Sequence, residues 1–308
     1  MKATRLMIPA VLLLAAACEK EADFNKVEEI VEETIPATVP TTEEAILTVQ
    51  ASKGEADTKA LDLVSGTPDY LKAYWKNTEK VKVYKAGTLL GTLDVTPGAG
   101  EKPTSATLSG TVTTEGLAAN DVLTLMIPRE SWDYSGQVGT LASIETTYDY
   151  ATASVTIATV DTGNHTVTTT GNAHFTNEQS IYRFGFKDGD VYFDPKSFTV
   201  SAAGGKLVQS MSWNGSAWTP LYGNIDVTPA LAALDHFYYV SLRNDQTTDD
   251  TYNFVITGSD DALYMATKPI PASVLGTPGN FISAKNINAT KPDFSPASGS
   301  VDDPLEVL

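Results

Sequence analysis

Between residues 45 and 290 hydrophobic and polar side chains alternate with a period of two, in runs rich in Val, Thr, Ile and Tyr. Residues 46–49, 80–84, 106–112 and 155–160 show the pattern in the first half. Residues 175–186, 191–200, 206–213, 236–242, 252–257, 262–267 and 280–287 continue it in the second. Successive side chains of a strand point to opposite faces, so this alternation with β-branched residues predicts half-buried antiparallel strands. Gly, Pro and Asn punctuate the runs, and Asp188-Gly189 between two aromatic segments predicts a two-residue hairpin turn. The one helix expected here is short, residues 229–234. About fourteen strands divide into two tandem seven-stranded β-sandwiches, residues 45–170 and 171–290, so the body is expected to be all-β. The Thr/Gly-rich stretch 162–172 marks the division, with residues 201–205 as the competing boundary.

The first 44 residues follow a different pattern. Lys2 and Arg5 precede an apolar run from Leu6 to Ala17, broken by Pro9 and too short to span a bilayer as a helix. A basic start, a short apolar stretch and small residues before Cys18 read as a signal peptide, residues 1–17. Leu14-Ala15-Ala16-Ala17-Cys18 resembles the bacterial lipobox, in which a peptidase cleaves before the cysteine and the sulfur takes up diacylglycerol. Cys18 is therefore the expected lipidation site. Its acyl chains, palmitate among them, contribute ~0.8 kcal/mol per buried CH₂ to membrane attachment. Residues 18–44 are rich in Glu, Thr and Pro, a composition too polar and too uniformly charged to fold, and read as a disordered acidic tether. Residues 291–308 form a C-terminal tail.

Composition narrows the function. The 308 residues hold 21 Lys+Arg against 38 Asp+Glu, a formal charge of −17 that becomes −19 once Lys2 and Arg5 leave with the signal peptide. Such acidity argues against a nucleic-acid partner, because neutralising phosphates takes clustered Lys and Arg. Cys18 is the only cysteine, which excludes intrachain disulfides and cysteine-based zinc or iron–sulfur centres. The chain lacks a Gly-x-Ser-x-Gly elbow, a His-Glu-x-x-His pair, a phosphate-binding loop and a dinucleotide fingerprint. His165, His174 and His236 are isolated, and Asp245, Asp249, Asp250, Asp260 and Asp261 do not follow the ligand order of a calcium loop. The sequence therefore predicts a protein that is not an enzyme, with no cofactor and no metal site.

Trp213 and Trp218 flank the turn-forming Asn214-Gly215-Ser216, with Tyr222 close behind. If exposed, the three rings make a glycan-stacking platform. Cross-strand packing is the competing reading.

The lipobox, the acidic tether and the all-β body, with the ordered patches at residues 58–61, 123–128, 134–141, 148–153, 175–181 and 237–244, resemble the fimbrillin-like surface lipoproteins of the Bacteroides group. The resemblance implies two transthyretin-like sandwiches and a structural or adhesive fimbrial subunit. It also implies a lipid anchor in the outer membrane, surface exposure and a possible host protein or glycan ligand. Proteolytic trimming would free a first strand, and other pilin subunits would exchange strands into the gap. Here Ile46, Leu47 and Val49 make the natural removable strand, and Lys53 and Lys59 are the candidate processing points. Two features favour an anchor, tip or accessory subunit over a stalk subunit. No arginine lies between Arg5 and Arg129, and the tail carries Pro292, Pro296 and Pro304, which remove ladder donors and make it a poor donor strand. A surface glycan-binding lipoprotein using Trp213, Trp218 and Tyr222 is the alternative.

Overall fold

The computed structural model describes residues 43–53, 61–65, 70–127, 131–213, 217–230, 235–275 and 278–292. No helix among the described residues is long and apolar enough to cross a membrane. Alternation sets the first strand: in β1 (Glu44–Lys53) Ala45, Leu47, Val49, Ala51 and Lys53 point inward, while Ile46, Thr48 and Gln50 face out. Next come β2 (Leu61–Val64), β3 (Tyr70–Ala73), β4 (Lys80–Lys85), β5 (Thr88–Pro97), β6 (Ser105–Thr113), β7 (Val122–Ile127) and β8 (Ser131–Asp133). A short α1 (Leu141–Ser143) runs into a π turn at Ile144–Tyr148, followed by β9 (Ala151–Asp161), β10 (Thr166–Thr170) and β11 (Ala173–Asn177).

β1 pairs antiparallel with β6 along its length, from Glu44↔Thr113 to Ser52↔Ser105. Its other edge pairs parallel with β10 near its start (Ile46↔Thr166) and with β11 near its end (Lys53↔Phe175). From β6 the ladder continues through β5, β4, β7 and β9, and β9 pairs in turn with β10 and β11. The sheet thus closes into a ring in which β10 and β11 share one position. Closure removes the exposed sheet edges that an open sheet would present. Leu47, Val49, Val83, Leu93, Leu108 and Leu125 fill its interior. Two glycines allow the ring to bend: a Cβ on Gly110 would lie 2.5 Å from the Thr92 carbonyl oxygen, and one on Gly91 would lie 2.2 Å from that of Thr111.

The second half contains β12 (Ser180–Asp188), β13 (Val191–Tyr192), β14 (Pro195–Ala202), β15 (Val208–Trp213), β16 (Trp218–Tyr222) and β17 (Ile225–Val227). It ends with β18 (Tyr238–Leu242), β19 (Asp250–Gly258), β20 (Leu263–Ile270), α2 (Ala272–Leu275) and β21 (Phe281–Thr290). β18, β12 and β21 form one layer and β20, β19, β14 and β17 the other, joined at Met265↔Thr290 and Ala266↔Ala289. Phe184, Phe186, Phe198 and Phe254 meet between the layers, mostly edge to face.

Three pieces of the first half complete this second core. β8 pairs with β15, which brings Trp132 opposite Met211, and Tyr134 and Tyr150 are buried in the same cluster. Gln137 spans the gap between edge strands β17 and β18. Its carbonyl accepts from the Thr228 N–H (2.9 Å), its Nε2 donates to the Ser241 carbonyl (2.7 Å), and its Oε1 accepts from the Ser241 N–H (2.8 Å). Finally, the β2–β3 hairpin and the helical segment after α1 lay Leu71 and Ile144 over Ile181. With Arg183 covered by the Phe237 and Phe281 rings as well, β12 is buried on both faces from Ser180 to Phe186, and its alternation of environment is lost.

Three expectations change. The first half is a closed ring of eight strands in place of the expected seven-stranded sandwich, because β1 finds partners on both edges. The two halves exchange between Asn177 and Ser180, not at 170/171, because β11 belongs to the ring, and Ser131–Tyr150 packs with the second core. The hairpin at Asp188-Gly189 forms, but Asp188 pairs with Val191, so the turn residues are Gly189 and Asp190, and Gly189 takes the positive φ of 60°. Of the expected helix at 229–234, residues 231–234 lie outside the described residues.

The β4–β5 hairpin generates one prediction. Its two turn residues, Ala86 and Gly87, both have positive φ (44° and 87°) between paired Lys85 and Thr88. That is a type I′ turn, which Asn suits and Ala does not. Ala86→Asn is expected to raise unfolding free energy by roughly 0.5–1 kcal/mol, read from the midpoint of a urea titration.

The tyrosines generate a second. Burial pushes the hydroxyls of Tyr134 and Tyr182 well above the ordinary tyrosine range, and that of Tyr252 from 10.0 to about 12. The folded protein therefore keeps protons that the unfolded chain releases once pH exceeds about 10. Stability from Tyr252 is full below about pH 10 and is lost as pH rises toward 12. Circular dichroism and tyrosinate absorbance, followed together, are expected to show these residues ionising with unfolding and not before it.

Candidate functional site

The residues singled out in the sequence fall into three places. Cys18 and Lys59 lie outside the described residues. Ile46, Leu47, Val49 and Lys53 lie on β1, and Trp213, Trp218 and Tyr222 lie on the β15–β16 hairpin.

β1 is the most suggestive element. Leu47 and Val49 are fully buried in the ring, whereas Ile46 is 45% exposed and contributes nothing to the core. The inward set is Ala45, Leu47, Val49, Ala51 and Lys53. Both sides of the strand are stitched by hydrogen bonds beyond the ladder. On the β10–β11 side the Ile46 N–H donates to the His165 carbonyl (2.9 Å), His165 Nδ1 lies 3.2 Å from the Glu44 carbonyl oxygen, and Ser52 Oγ is 2.7 Å from His174 Nδ1. On the β6 side Thr48 bonds Ser109 and Gln50 bonds Thr107. Each buried aliphatic side chain adds about 1.5–3 kcal/mol of hydrophobic stabilisation.

At the end of β1 the groove becomes polar. Lys53 Nζ donates to both Glu79 carboxylate oxygens and to the Tyr74 carbonyl, each at 3.0 Å. It also lies 4.0 Å from the centroid of the Trp75 ring, which itself meets Phe175 edge-on at 5.3 Å. Glu79 Oε2 further accepts from the Lys76 N–H at 3.3 Å. The Lys53 side chain has no exposed surface and that of Glu79 is 5% exposed. Taking either ion out of water alone costs several kcal/mol, so each charge depends on the other.

This geometry corrects the reading of Lys53 as a processing point. Its side chain is buried in a salt bridge and its backbone lies in a ladder paired on both sides, so a trypsin-like enzyme has no access to it in the folded body. Lys59 is the candidate that remains. The signal for Lys53 lay in the phase of its own strand, since counting inward from Leu47 and Val49 reaches Ala51 and then Lys53. Glu79 carried no such mark, being placed by the loop between β3 and β4.

The aromatic platform is also corrected. All three rings are half-buried and engaged. Trp218 packs tilted by 32° against buried Trp132 with centroids 3.6 Å apart and lies 5.3 Å from Trp213, and Trp213 packs against Tyr84 of the ring. Lys206 covers the Tyr222 ring at 4.5 Å, and the Tyr222 hydroxyl lies 3.3 Å from Asp245. The residues of β16 that do face out are Thr219 and Leu221. The hairpin is a packing device between the two halves, and the competing cross-strand reading holds.

A cavity of about 190 Å³ lies beside Arg243, between Glu178, Tyr182, Asp245 and Leu275. Burial opposes the Arg243 charge, but Asp245 at 2.9 Å and Glu178 at 2.7 Å more than offset it and hold the guanidinium proton more tightly than usual. The ion triad clamps β18 to the β11–β12 connection. Among the described residues no cluster of three His, Cys, Asp or Glu side chains is arranged to hold a metal ion.

The buried pair generates a prediction. Lys53→Met strands the Glu79 carboxylate in the protein interior and is expected to destabilise by about 3–5 kcal/mol. Lys53→Met combined with Glu79→Leu removes both charges and is expected to recover most of that loss in thermal melts.

No protein-family model matches the sequence, and no curated protein matches it. The structure is similar to that of a candidate cell adhesion protein from Bacteroides ovatus, with a TM-score of 0.41 and 13% identity over 80% of this chain and 95% of that one. It is similar to the tip fimbrial protein Mfa3 from Porphyromonas gingivalis, with a TM-score of 0.37 and 9% identity over 73% of this chain and 81% of that one. A third likeness is to a fimbrial assembly protein from Parabacteroides distasonis, with a TM-score of 0.35 and 9% identity over 78% of this chain and 89% of that one. All three likenesses are remote.

Proposed function

We propose that this chain is a non-enzymatic structural or adhesive subunit of a cell-surface fimbria, held at the outer membrane through Cys18 until cleavage after Lys59 parts the body from the lipidated segment. In this reading β1 is a replaceable strand. The observation that carries it is the position of β1: a segment from the N-terminal end of the body, closing a ring by pairing on both edges. Withdrawing β1 would unpair one edge of β6 and the facing edges of β10 and β11, and would open a groove lined by the interior of the ring. An extended segment from another subunit satisfies such edges with its backbone and fills the groove with alternate side chains. Contacts of that head-to-tail kind do not close, so they build fibres. The proline-bearing tail supports a place at the anchor, the tip or an accessory position over the stalk. Its ligand would be a host protein or a glycan, bound elsewhere than on Trp213, Trp218 and Tyr222.

Processing would fall in residues 54–60, where Lys59 lies between β1 and β2. Limited trypsin digestion of the folded protein is expected to cut after Lys59 and to spare Lys53, leaving β1 held to the body by contacts alone. Immunogold electron microscopy of native cells is expected to find the protein along or at the ends of fibres. Labelling confined to the bare membrane would defeat the fimbrial role.

A further inference from the structure

The Lys53 site has a consequence for what can replace β1. Glu79, Trp75 and the Tyr74 carbonyl belong to the segment between β3 and β4, so they stay with the body if β1 leaves. They converge on one point from three directions: a carboxylate with both oxygens at 3.0 Å, a carbonyl at 3.0 Å and the face of an indole ring at 4.0 Å. All three present negative potential to that point. A strand with an apolar residue there would leave the Glu79 carboxylate desolvated and unpaired, and one with an acidic residue would add repulsion.

Resting on the proposed replacement of β1, we infer that the incoming donor strand carries a lysine or arginine at the position of Lys53. The four preceding inward positions, those of Ala45, Leu47, Val49 and Ala51, take small or aliphatic side chains. This selects among donors. Residues 293–308 of this chain contain no Lys or Arg and four acids, Asp293, Asp302, Asp303 and Glu306. Lys291, just before them, is bonded to Asp260 at 3.1 Å and lies over the Tyr264 ring. The C-terminal tail of a second copy therefore meets the Glu79 site with the wrong charge. The donor is a different chain, with a basic residue at the end of its inserted strand.

The test uses the full chain with a specific protease site inserted within residues 54–60, cut after folding so that β1 is held only by contacts. Three labelled peptides are offered in excess: one of residues 44–53, the same peptide with Lys53→Met, and one of residues 293–308. Retention is read by native mass spectrometry. The lysine peptide is expected to exchange into the body, the methionine peptide to be retained about a hundredfold less well, and the tail peptide not to enter. In a body carrying Glu79→Gln the gap between the first two peptides is expected to narrow. Equal uptake of the lysine and methionine peptides, or uptake of the tail peptide, overturns the cation requirement while leaving strand replacement standing. Failure of every peptide to enter sinks the replaceable strand itself, and the inference with it.

Discussion

The closed ring of the first half depends on β1 being bonded along both edges. A sheet that curls without closing leaves two rows of unpaired N–H and C=O groups, and burying or solvating them decides what it binds. Here one ten-residue segment removes both rows at once, antiparallel against β6 and parallel against β10 and β11. The parallel side is split between two short strands, which is why the extra hydrogen bonds of His165 and Ser52 cluster there. The energetic consequence is that β1 is indispensable to the closed ring.

The buried Lys53–Glu79 pair gives this strand a register. Aliphatic side chains pack acceptably after a shift of two residues along a groove, but a lysine that must reach one carboxylate does not. Such a pair adds little net stability over an apolar substitute while heavily penalising any arrangement that breaks it. Its place at the end of the strand, beside Trp75 and Phe175, fixes how far along the groove β1 sits.

The second half is built from both parts of the chain. Trp132, Tyr134, Gln137 and Tyr150 come from between β7 and β9, yet they line or bridge the core made by β12 to β21. This explains why neither the Thr/Gly-rich stretch 162–172 nor residues 201–205 falls where the two halves divide. Cutting the chain at 170 would remove an aromatic cluster and the Gln137 bridge from one half and β11 from the other. It also explains why the aromatic pair Trp213 and Trp218 is not displayed: the hairpin that carries it is laid against Trp132 and Tyr84.

Period-two alternation identified strands such as β1, β6, β9, β14 and β19, because one face of each meets a core and the other meets water or a thin cover, but it left out β2, β3, β5, β7, β8, β10, β16 and β17. It even contained the inward phase of Lys53. In β12 the alternation of burial is lost, because its outward Ile181 is covered by Leu71 and Ile144 and its outward Arg183 by the Phe237 and Phe281 rings. The sequence by itself determined the all-β class, many of the strand positions, the hairpin at Gly189 and the poverty in catalytic groups, since each depends on local backbone and side-chain preferences. Ring closure, the exchange of segments between the halves, the burial of Lys53 against Glu79 and the packing of the tryptophans were decided only by tertiary structure. Those features depend on contacts between residues far apart in the chain, and no local pattern records which distant partner a buried charge or an unpaired strand edge will find.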